Sequence, residues 1–268
     1  NYGTREFFVD GNWISTPNGQ VRGSRYNING QLSIVEDIAG MWRYVKEKSI
    51  QSPVWGDKIL EQLLRTRFRG EKLILFSPWG PRYNRSTPII EDSDPETKTL
   101  GEIRGVFETF RSFGYNINFV LMPADAYGTE VNSLSPQFVD EYFKRVEDLA
   151  TRTLDSVANV DIKRWSLIRQ ENRDRYSGLR DEIDEKFSNW IKDKEFRNAI
   201  KVASVFNPKE AKASARRYCI ERLVEGILIN EVYNPIKLSI VKKEKDKLDG
   251  PLKRIYVIGN RAPWLGGE

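Results

Sequence analysis

Two apolar segments of the chain, residues 72–76 and 117–122, each lead directly into a stretch rich in polar and aromatic side chains. The first stretch carries guanidinium, amide and aromatic groups: Trp79, Arg82, Tyr83, Asn84 and Arg85. Arginine side chains bind phosphate or carboxylate oxygens in a bidentate manner. This stretch therefore predicts an anion site in which Trp79 and Tyr83 pack on an apolar part of the same ligand. The structural alternative is that both rings cover the sheet edge while the arginines face water.

The second stretch offers two carboxylates, Asp125 and Glu130, beside three hydrogen-bonding side chains: Tyr127, Thr129 and Asn132. A carboxylate that a neighbouring ring partly desolvates can accept a proton from an ammonium or hydroxyl group. Asp125 and Glu130 are therefore the candidate general bases. The structural alternative is that Asp125 caps a turn and Glu130 faces water.

The composition narrows the chemistry that these side chains can perform. The sequence contains no histidine and a single cysteine, Cys219. This excludes Ser-His-Asp and Cys-His catalytic systems, zinc-protease helices, internal disulfides and clustered-thiolate metal sites. Acid–base chemistry must therefore use Asp, Glu, Lys, Tyr or water. Lys and Arg number 43 against 38 Asp and Glu, a net charge of +5 that favours anionic partners only mildly.

The hydrophobic content also bounds the class of protein. Of the 268 residues, 39% are hydrophobic, which is enough for a substantial globular core. No apolar stretch approaches the ~20 residues that span a bilayer, and the N-terminus lacks the basic-then-apolar pattern of a signal peptide. We therefore expect a cytoplasmic protein with no membrane partner.

Hydrophobic periodicity predicts an α/β fold: a Rossmann-like, mixed but mostly parallel sheet flanked by helices, with an N-terminal hairpin and a helical insertion. Asp10 and Gly11 lie between two short apolar runs and predict the hairpin. Residues 99–113 predict a helix that joins the two apolar strands. The strands should therefore be parallel neighbours, and their polar stretches should share one edge of the sheet. The acidic residues 91–96 predict a loop.

The remaining periodic segments predict further helices and two late strands. The helices are expected over residues 32–48, from Asp57 onward, over 135–154 with Ser135 and Pro136 at the start, within 161–201, and over 211–229. The strands are expected over residues 236–241 and 254–258. The hairpin and a linker would occupy residues 1–31 and a Rossmann-like catalytic domain residues 32–268, with a helical subdomain at 155–206.

The order of these landmarks resembles the isonitrile (isocyanide) synthases of the pyoverdine/dityrosine biosynthesis family. In that family a strand ends in a Pro-aromatic-Pro loop with a basic residue and an asparagine, here Pro78, Pro81, Arg82 and Asn84. A Lys-Thr-Leu-Gly segment, a helix glutamate and an Asp-containing turn follow, here residues 98–101, Glu108 and Asp125. A Leu-Ser-Ile strand and a Pro-Trp pair lie near the C-terminus, here residues 238–240 and 263–264.

The sequence departs from the family at four places. The Ser-Asp-Gly turn of the family is Ala124, Asp125 and Ala126 here, and its helix Pro-Asp is Arg104 and Gly105. The histidines that usually follow Leu-Ser-Ile and Pro-Trp are replaced by Val241 and Leu265.

The resemblance implies a biosynthetic enzyme that condenses an amino acid amine with the ketone of a phosphosugar such as ribulose 5-phosphate. Fragmentation to an isonitrile would follow, without a metal or redox cofactor. Arg82, Arg85 and Lys98 would hold the phosphate, with Lys237 as a weaker addition. Asp125 or Glu130 would deprotonate the amine. The remaining residues at the substrate would be Trp79, Tyr127, Asn132 and Ser239, of which Trp79 and Tyr127 would shape an aromatic pocket.

Two other functions stay open. An aminoacyl- or nucleotide-transfer enzyme, similar in layout to the cyclodipeptide synthases, would use Ser77 with Tyr218 and Glu221. A non-enzymatic RNA-binding protein would instead use a basic and aromatic helix face. The residues of that face are Arg164, Trp165, Arg169, Arg173, Arg175 and Tyr176.

Overall fold

The structure, a computed structural model, describes residues 5–9, 12–16, 38–45, 53–81, 87–206, 208–239 and 250–256. The first described element is a two-stranded hairpin, in which β1 (Arg5–Val9) pairs antiparallel with β2 (Asn12–Thr16). Val9 lies opposite Asn12, so two residues connect the strands, as the sequence predicts. The expected linker that follows lies outside the described residues.

A separate sheet of five strands forms the centre of the fold. Its strands are β3 (Leu73–Trp79), β4 (Ile117–Pro123), β5 (Asn159–Ile162), β6 (Ile236–Ser239) and β7 (Lys253–Tyr256). They are arranged in the order β5-β4-β3-β6-β7, and all four pairings are parallel. The chain moves outward from β3 through β4 to β5 and then returns to the other side of β3. The carboxyl end of β3 therefore lies at a switch in strand order, which is where open α/β sheets bind ligands.

The pairing of β3 with β4 confirms the predicted parallel neighbours. The register runs from Leu73 opposite Ile117 to Trp79 opposite Pro123. Strand β3 ends three residues beyond the predicted segment because this pairing continues through Pro78 to Trp79. Proline is tolerated there because β6 pairs with β3 only at Leu75 and Phe76, so its missing N–H interrupts no ladder on that side.

Helices cover both faces of the sheet, which gives the predicted Rossmann-like architecture. One face carries α1 (38–45), α2 (Pro53–Arg69), α3 (Pro95–Ser112) and α4 (Pro136–Leu154). Together with Leu75, Trp79 and Phe119 these helices form the first core. The other face carries α5 (Trp165–Glu171), α6 (Arg173–Glu185), α7 (Phe187–Trp190), α8 (Asp193–Phe206) and α9 (Ala211–Tyr233). Together with Phe76, Val120 and Met122 they form the second core.

Several helices begin where a proline can occupy the first turn. Helix α4 begins at Pro136, and Ser135 accepts a 3.2 Å hydrogen bond from the Phe138 amide, as predicted. Two expected starts are wrong. Helix α2 begins at Pro53 rather than near Asp57, and α3 begins at Pro95, within the segment expected to be a loop. Proline favours the first helical position because its fixed φ suits a helix and its missing N–H would be unpaired there.

The helical insertion lies where the sequence predicts it, with one strand added. Residues 159–162 form β5, which pairs with β4, instead of opening the helical segment. The strand is short and only partly buried, so it lacks a clear alternating pattern. Helix α8 ends at Phe206, and a short 3₁₀ turn, Pro208–Glu210, leads into α9. Helix α9 continues four residues beyond its predicted end.

Across the described ranges, no helix is both long enough and apolar enough to cross a membrane.

Candidate active site

The carboxyl ends of β3 and β4 form the edge at which the two polar stretches were expected to meet. Trp79 and Pro123 are the last paired residues, and the amide of Ala124 donates a 2.8 Å hydrogen bond to the carbonyl of Trp79. The chain that leaves β4 is therefore held against the end of β3. Arg82, Tyr83, Asn84 and Arg85 lie outside the described residues.

A single turn of π-helix, Tyr127–Val131, follows β4 almost directly. Asn132 ends it, since both its amide and its side-chain Nδ2 donate to the carbonyl of Tyr127, at 3.0 and 2.6 Å. Gly128 is required by close packing: a Cβ there would lie 2.8 Å from Cγ2 of Val139 on α4. Single π-turns occur frequently at functional sites. This one directs Tyr127 into the second core, where its side chain is 4% exposed.

Helix α9 contributes two buried carboxylates to the second core. Glu225 is 1% exposed, and its Oε1 accepts a 2.5 Å hydrogen bond from Arg222 on the preceding turn. Its Oε2 is buried and has no hydrogen-bond partner within the described part of the chain. The hydroxyl of Tyr127 is likewise buried and unpartnered there. The ring of Tyr127 lies edge-on to Tyr218 of α9, with 6.0 Å between centroids.

The surroundings of Tyr127 keep its phenol protonated. Burial is the largest cause that raises the pKa of Tyr127 well above its ordinary value, and the negative charge of Glu225 is the next. Arg222 acts in the opposite direction, and Glu221 and Tyr218 raise the pKa further. At neutral pH the side chain is therefore a neutral hydroxyl that can donate one hydrogen bond and accept others.

The second carboxylate, Glu221, is fully engaged by aromatic and basic side chains. Its Oε1 accepts a 2.7 Å hydrogen bond from the indole of Trp165, and its Oε2 accepts one at 2.9 Å from Tyr176. Arg169 lies 3.3 Å from Oε1 and also donates to both oxygens of Glu130, at 3.0 Å each. Burial raises the pKa of Glu221 in spite of these partners. The network joins the π-turn, α5, α6 and α9.

The structure assigns definite contacts to both predicted bases. Oδ1 of Asp125 accepts hydrogen bonds from the amides of Ala126 and Ser166, at 2.9 and 3.0 Å. Oδ2 accepts a short hydrogen bond from the hydroxyl of Ser166. Asp125 therefore connects the end of β4 to the first turn of α5. Glu130 is largely exposed and paired with Arg169. Their roles as general bases stay predictions.

A second polar chain lies on the opposite face of the sheet. The indole of Trp79 donates to the hydroxyl of Tyr142, and that hydroxyl donates to Oε1 of Glu96, both at 3.1 Å. All three side chains are fully buried. Trp79 thus belongs to the first core and Tyr127 to the second, so the structure does not bring these two rings into one pocket.

The other predicted substrate-binding residues occupy varied positions. Lys98 is exposed on α3. Lys237 is buried on β6 beside Phe76 and faces the second core, because its neighbours Ile236 and Leu238 face the first. Ser239 is half-buried at the carboxyl end of the same strand. Lys237 and Ser239 therefore lie on the strand that pairs with β3 at the switch in strand order. Their roles in substrate binding stay predictions.

Some functional candidates were missed by sequence reasoning. They are Glu225 and Arg222 on α9, and Glu96 with Tyr142 on the other face. The signal for Glu225 was present: Glu221 and Glu225 interrupt an apolar run, residues 219–229, at a spacing of one helical turn. A carboxylate in such a run is rarely buried unless it is paired or functional.

The residues of the two alternative functions are also placed. Ser77 lies on β3 between Leu75 and Trp79 and so faces the first core, whereas Tyr218 and Glu221 face the second. Three arginines of the predicted RNA face are engaged by carboxylates: Arg164 by Asp140 and Glu147, Arg169 by Glu130 and Glu221, and Arg175 by Glu231. Trp165 and Tyr176 are buried rather than displayed for stacking on bases.

No metal centre is evident in the part of the chain that the structure describes, where no group of three or more Cys, Asp or Glu side chains is arranged to hold an ion.

Comparison with known proteins gives similarity of fold. No protein family and no curated protein matches the sequence. The PvcA protein from Pseudomonas aeruginosa superposes with a TM-score of 0.59 at 13% identity, over 86% of this chain and 88% of that one. A CDPS from Staphylococcus haemolyticus gives 0.46 at 16% identity, over 71% and 91%. A Mycobacterium tuberculosis protein that relates cyclodipeptide synthetases to type I tRNA synthetases gives 0.41 at 10% identity, over 74% and 89%.

At 13% identity the likeness to PvcA shows a similar fold and nothing finer. It agrees with the fold that the sequence resemblance implies.

Proposed function

We propose that this chain is a biosynthetic enzyme whose substrate site lies at the carboxyl edge of the sheet, between the π-turn after β4 and helix α9. It condenses the amine of an amino acid with the ketone of a phosphosugar such as ribulose 5-phosphate. The observation that carries the proposal is a buried polar centre in an apolar core at the ligand-binding edge of the sheet. Its members are the buried side chains of Tyr127, Glu221 and Glu225, together with the partly buried Arg222 that pairs with Glu225.

A stable fold alone does not account for this centre. Buried carboxylates and hydroxyls cost free energy unless they are hydrogen-bonded, and Glu225 and Tyr127 each retain an unpartnered atom within the described residues. Groups of this kind cluster at sites that bind ligands. The shared fold with PvcA, of the pyoverdine/isonitrile synthase-like family, supports a biosynthetic enzyme, and the landmarks from Pro78 to Trp264 support this reaction in particular.

The reaction requires a proton acceptor for the amine and cations for the phosphate. The amine must lose a proton before its nitrogen attacks the ketone carbon, a C=N bond then forms, and water leaves. Asp125, Glu130 and Glu225 are the carboxylates of this edge that could accept the proton. The phosphate needs cations, and Arg82, Arg85, Lys98 and Lys237 are the residues that the proposal assigns to it.

The proposal is tested by incubating the protein with amino acid pools and pentose phosphates and analysing the products by mass spectrometry. We expect a product whose mass combines one amino acid with carbon from the sugar. A matched incubation without phosphosugar, and one with Glu225→Gln, should lack it. Absence of such a product from every pool, with protein shown to be folded, would reject the condensation.

A further inference from the structure

We infer that the hydroxyl of Tyr127 and Oε2 of Glu225 form a subsite for a primary ammonium group. The subsite would admit the amino end of a substrate into the second core and exclude its carboxylate or phosphate. This inference rests on the proposed function, because it names the residues that would receive the amine.

Two polar atoms that have no partner in the described ranges lie in the same core. More than 90% of buried polar groups in folded proteins have a hydrogen-bond partner, so an isolated exception needs an explanation. Six buried side-chain atoms lack a hydrogen-bond partner among the described residues, and two of them are a hydroxyl on the π-turn and a carboxylate oxygen on α9. Both of these side chains belong to the second core or its helix. The charge of Glu225 acts on the Tyr127 hydroxyl, so the two groups share one electrostatic environment.

The chemistry of a carboxylate oxygen restricts which group can be the partner of Glu225 Oε2. An ionised carboxylate oxygen only accepts hydrogen bonds, so the partner of Glu225 Oε2 must be a donor. A phosphate or carboxylate offers acceptors and negative charge, and it would be repelled. A hydroxyl or water can donate, but an ammonium adds a charge-assisted bond, which is roughly twice as strong as a neutral one. A primary ammonium has three N–H donors, so it can bond to a carboxylate and still donate to a hydroxyl.

The neighbouring groups Arg222 and Glu221 favour the binding of a cation at Glu225. Arg222 binds Oε1 at 2.5 Å, which fixes the position of the carboxylate and leaves Oε2 without a partner among the described residues. Glu221 adds negative potential from the preceding turn, although its own oxygens are occupied. The neutral Tyr127 hydroxyl can accept from the ammonium. Lys237, which reaches the same face of the sheet from β6, suits the anionic end of a substrate instead.

The test is binding of an amino acid alone, without phosphosugar, by titration calorimetry. Each standard L-amino acid is titrated singly, and the tightest is then compared with the α-hydroxy acid that has the same side chain. We expect the hydroxy acid to bind at least about tenfold more weakly, since a charge-assisted contact is lost. Tyr127→Phe and Glu225→Gln should each weaken binding of the amino acid by about tenfold or more. Each should also reduce the difference in affinity between the amino acid and the hydroxy acid.

Glu231→Gln supplies the matched control. It makes the same change of charge on α9, but Glu231 is partly exposed and paired with Arg175, so binding should stay as in the wild type. Tyr127→Phe keeps the test decisive if Glu225→Gln does not fold. Equal binding of amino acid and hydroxy acid, wild-type affinity in both variants, or no binding of any amino acid at millimolar concentration would overturn the subsite.

The outcomes also separate this inference from the proposed function. If the variants lose amino acid binding but no phosphosugar yields a product, the subsite stands and the condensation fails. If product forms and the variants bind like the wild type, the condensation stands and the ammonium is held elsewhere.

Discussion

The hydroxyl of Tyr142 donates a 3.1 Å hydrogen bond to Oε1 of Glu96, and through this contact the fully buried side chains of α4 and α3 are joined. Trp79 donates to the same hydroxyl from the end of β3. Tyr127 is buried to a similar degree on the other face of the sheet, yet its hydroxyl has no partner in the described ranges. The two tyrosines therefore form a natural pair for separating a structural hydroxyl from a ligand-binding one.

Tyr142→Phe should destabilise the fold. It removes an acceptor for the Trp79 indole and a donor to Glu96, and the loss of two buried hydrogen bonds costs about 1–3 kcal/mol. Urea unfolding at pH 7 should show a lower free energy of unfolding at an unchanged slope. An unchanged midpoint would mean that this chain of hydrogen bonds contributes nothing measurable.

Tyr127→Phe, unlike Tyr142→Phe, should not destabilise the fold. It removes a buried hydroxyl without breaking a hydrogen bond, so the free energy of unfolding of the unliganded protein should be unchanged or higher, by up to about 1 kcal/mol. The measurement is the same urea titration, made beside Tyr142→Phe. Destabilisation comparable to that of Tyr142→Phe would indicate a structural partner for the Tyr127 hydroxyl and argue against an unloaded ligand site.

Lys253 should make stability depend on pH above neutrality. The side chain is 6% exposed, and burial lowers its pKa from the ordinary 10.5 to about 8. Between these two values the unfolded chain binds more protons than the folded one, so stability rises with pH. Below pH 8 both states are protonated and the contribution is constant. The cost of burying the charge is thus present at neutral pH and is relieved as the pH rises.

The check is urea unfolding of wild type and Lys253→Met from pH 7 to pH 10. The stability of the wild type relative to the variant should rise by roughly 1 kcal/mol per pH unit above pH 8. The neutral amine can still donate to Oδ1 of Asn234, which lies 2.6 Å away. Lys72→Met, at an exposed lysine, should follow the wild type. Parallel curves for wild type and Lys253→Met would show that Lys253 titrates alike in both states.

Asp125→Asn should separate a catalytic from a structural role. Asparagine keeps the shape of the side chain but cannot accept the proton. If Asp125 is the general base, turnover in the condensation should therefore fall ~100-fold or more with little change in melting temperature. Ser166→Ala is the matched control, because it removes a hydrogen bond to Asp125 but leaves the carboxylate. It should lower stability slightly and keep most activity. Near-normal turnover in both Asp125→Asn and Glu130→Gln would move the base to another residue, with Glu225 the next to test.

Arg82→Ala should weaken binding of a phosphosugar by about tenfold or more and leave the melting temperature unchanged, because a charge-assisted contact to phosphate is lost. Calorimetry with ribulose 5-phosphate measures the effect. Arg152→Ala, at an exposed arginine of α4, should bind like the wild type. Phosphosugar binding that depends on neither Arg82 nor Arg85 would reject the predicted anion site.

Much of the architecture was readable from the sequence because local patterns agreed with the global fold. The apolar runs of β3 and β4, the helix between them and the Ser135-Pro136 start of α4 each had an unambiguous signal. Errors arose where tertiary context decided the outcome. Pro78 lies within β3 only because β6 pairs no further than Phe76, and β5 forms only because the edge of β4 is open to it.

The site was less accessible to sequence reasoning for a related reason. Adjacency of β3 and β4 follows from topology, so Asp125 and Tyr127 could be placed at the correct edge. The partner of that edge is α9, which returns after five intervening helices, and no local pattern specifies which turn of it faces Tyr127. Glu225 could be noticed as an acidic residue in an apolar run, but its unpartnered oxygen is visible only in three dimensions.

The most direct measurement is a double-labelling experiment on the condensation itself. The protein is incubated with a ¹⁵N-labelled amino acid and a pentose phosphate labelled with ¹³C at the ketone carbon, and the products are analysed by mass spectrometry. Attack of the amine on the ketone joins these two atoms, so one product should carry both labels, and Glu225→Gln should greatly reduce it. Products that carry only one label, or none, from folded wild-type protein across all amino acids would contradict the account.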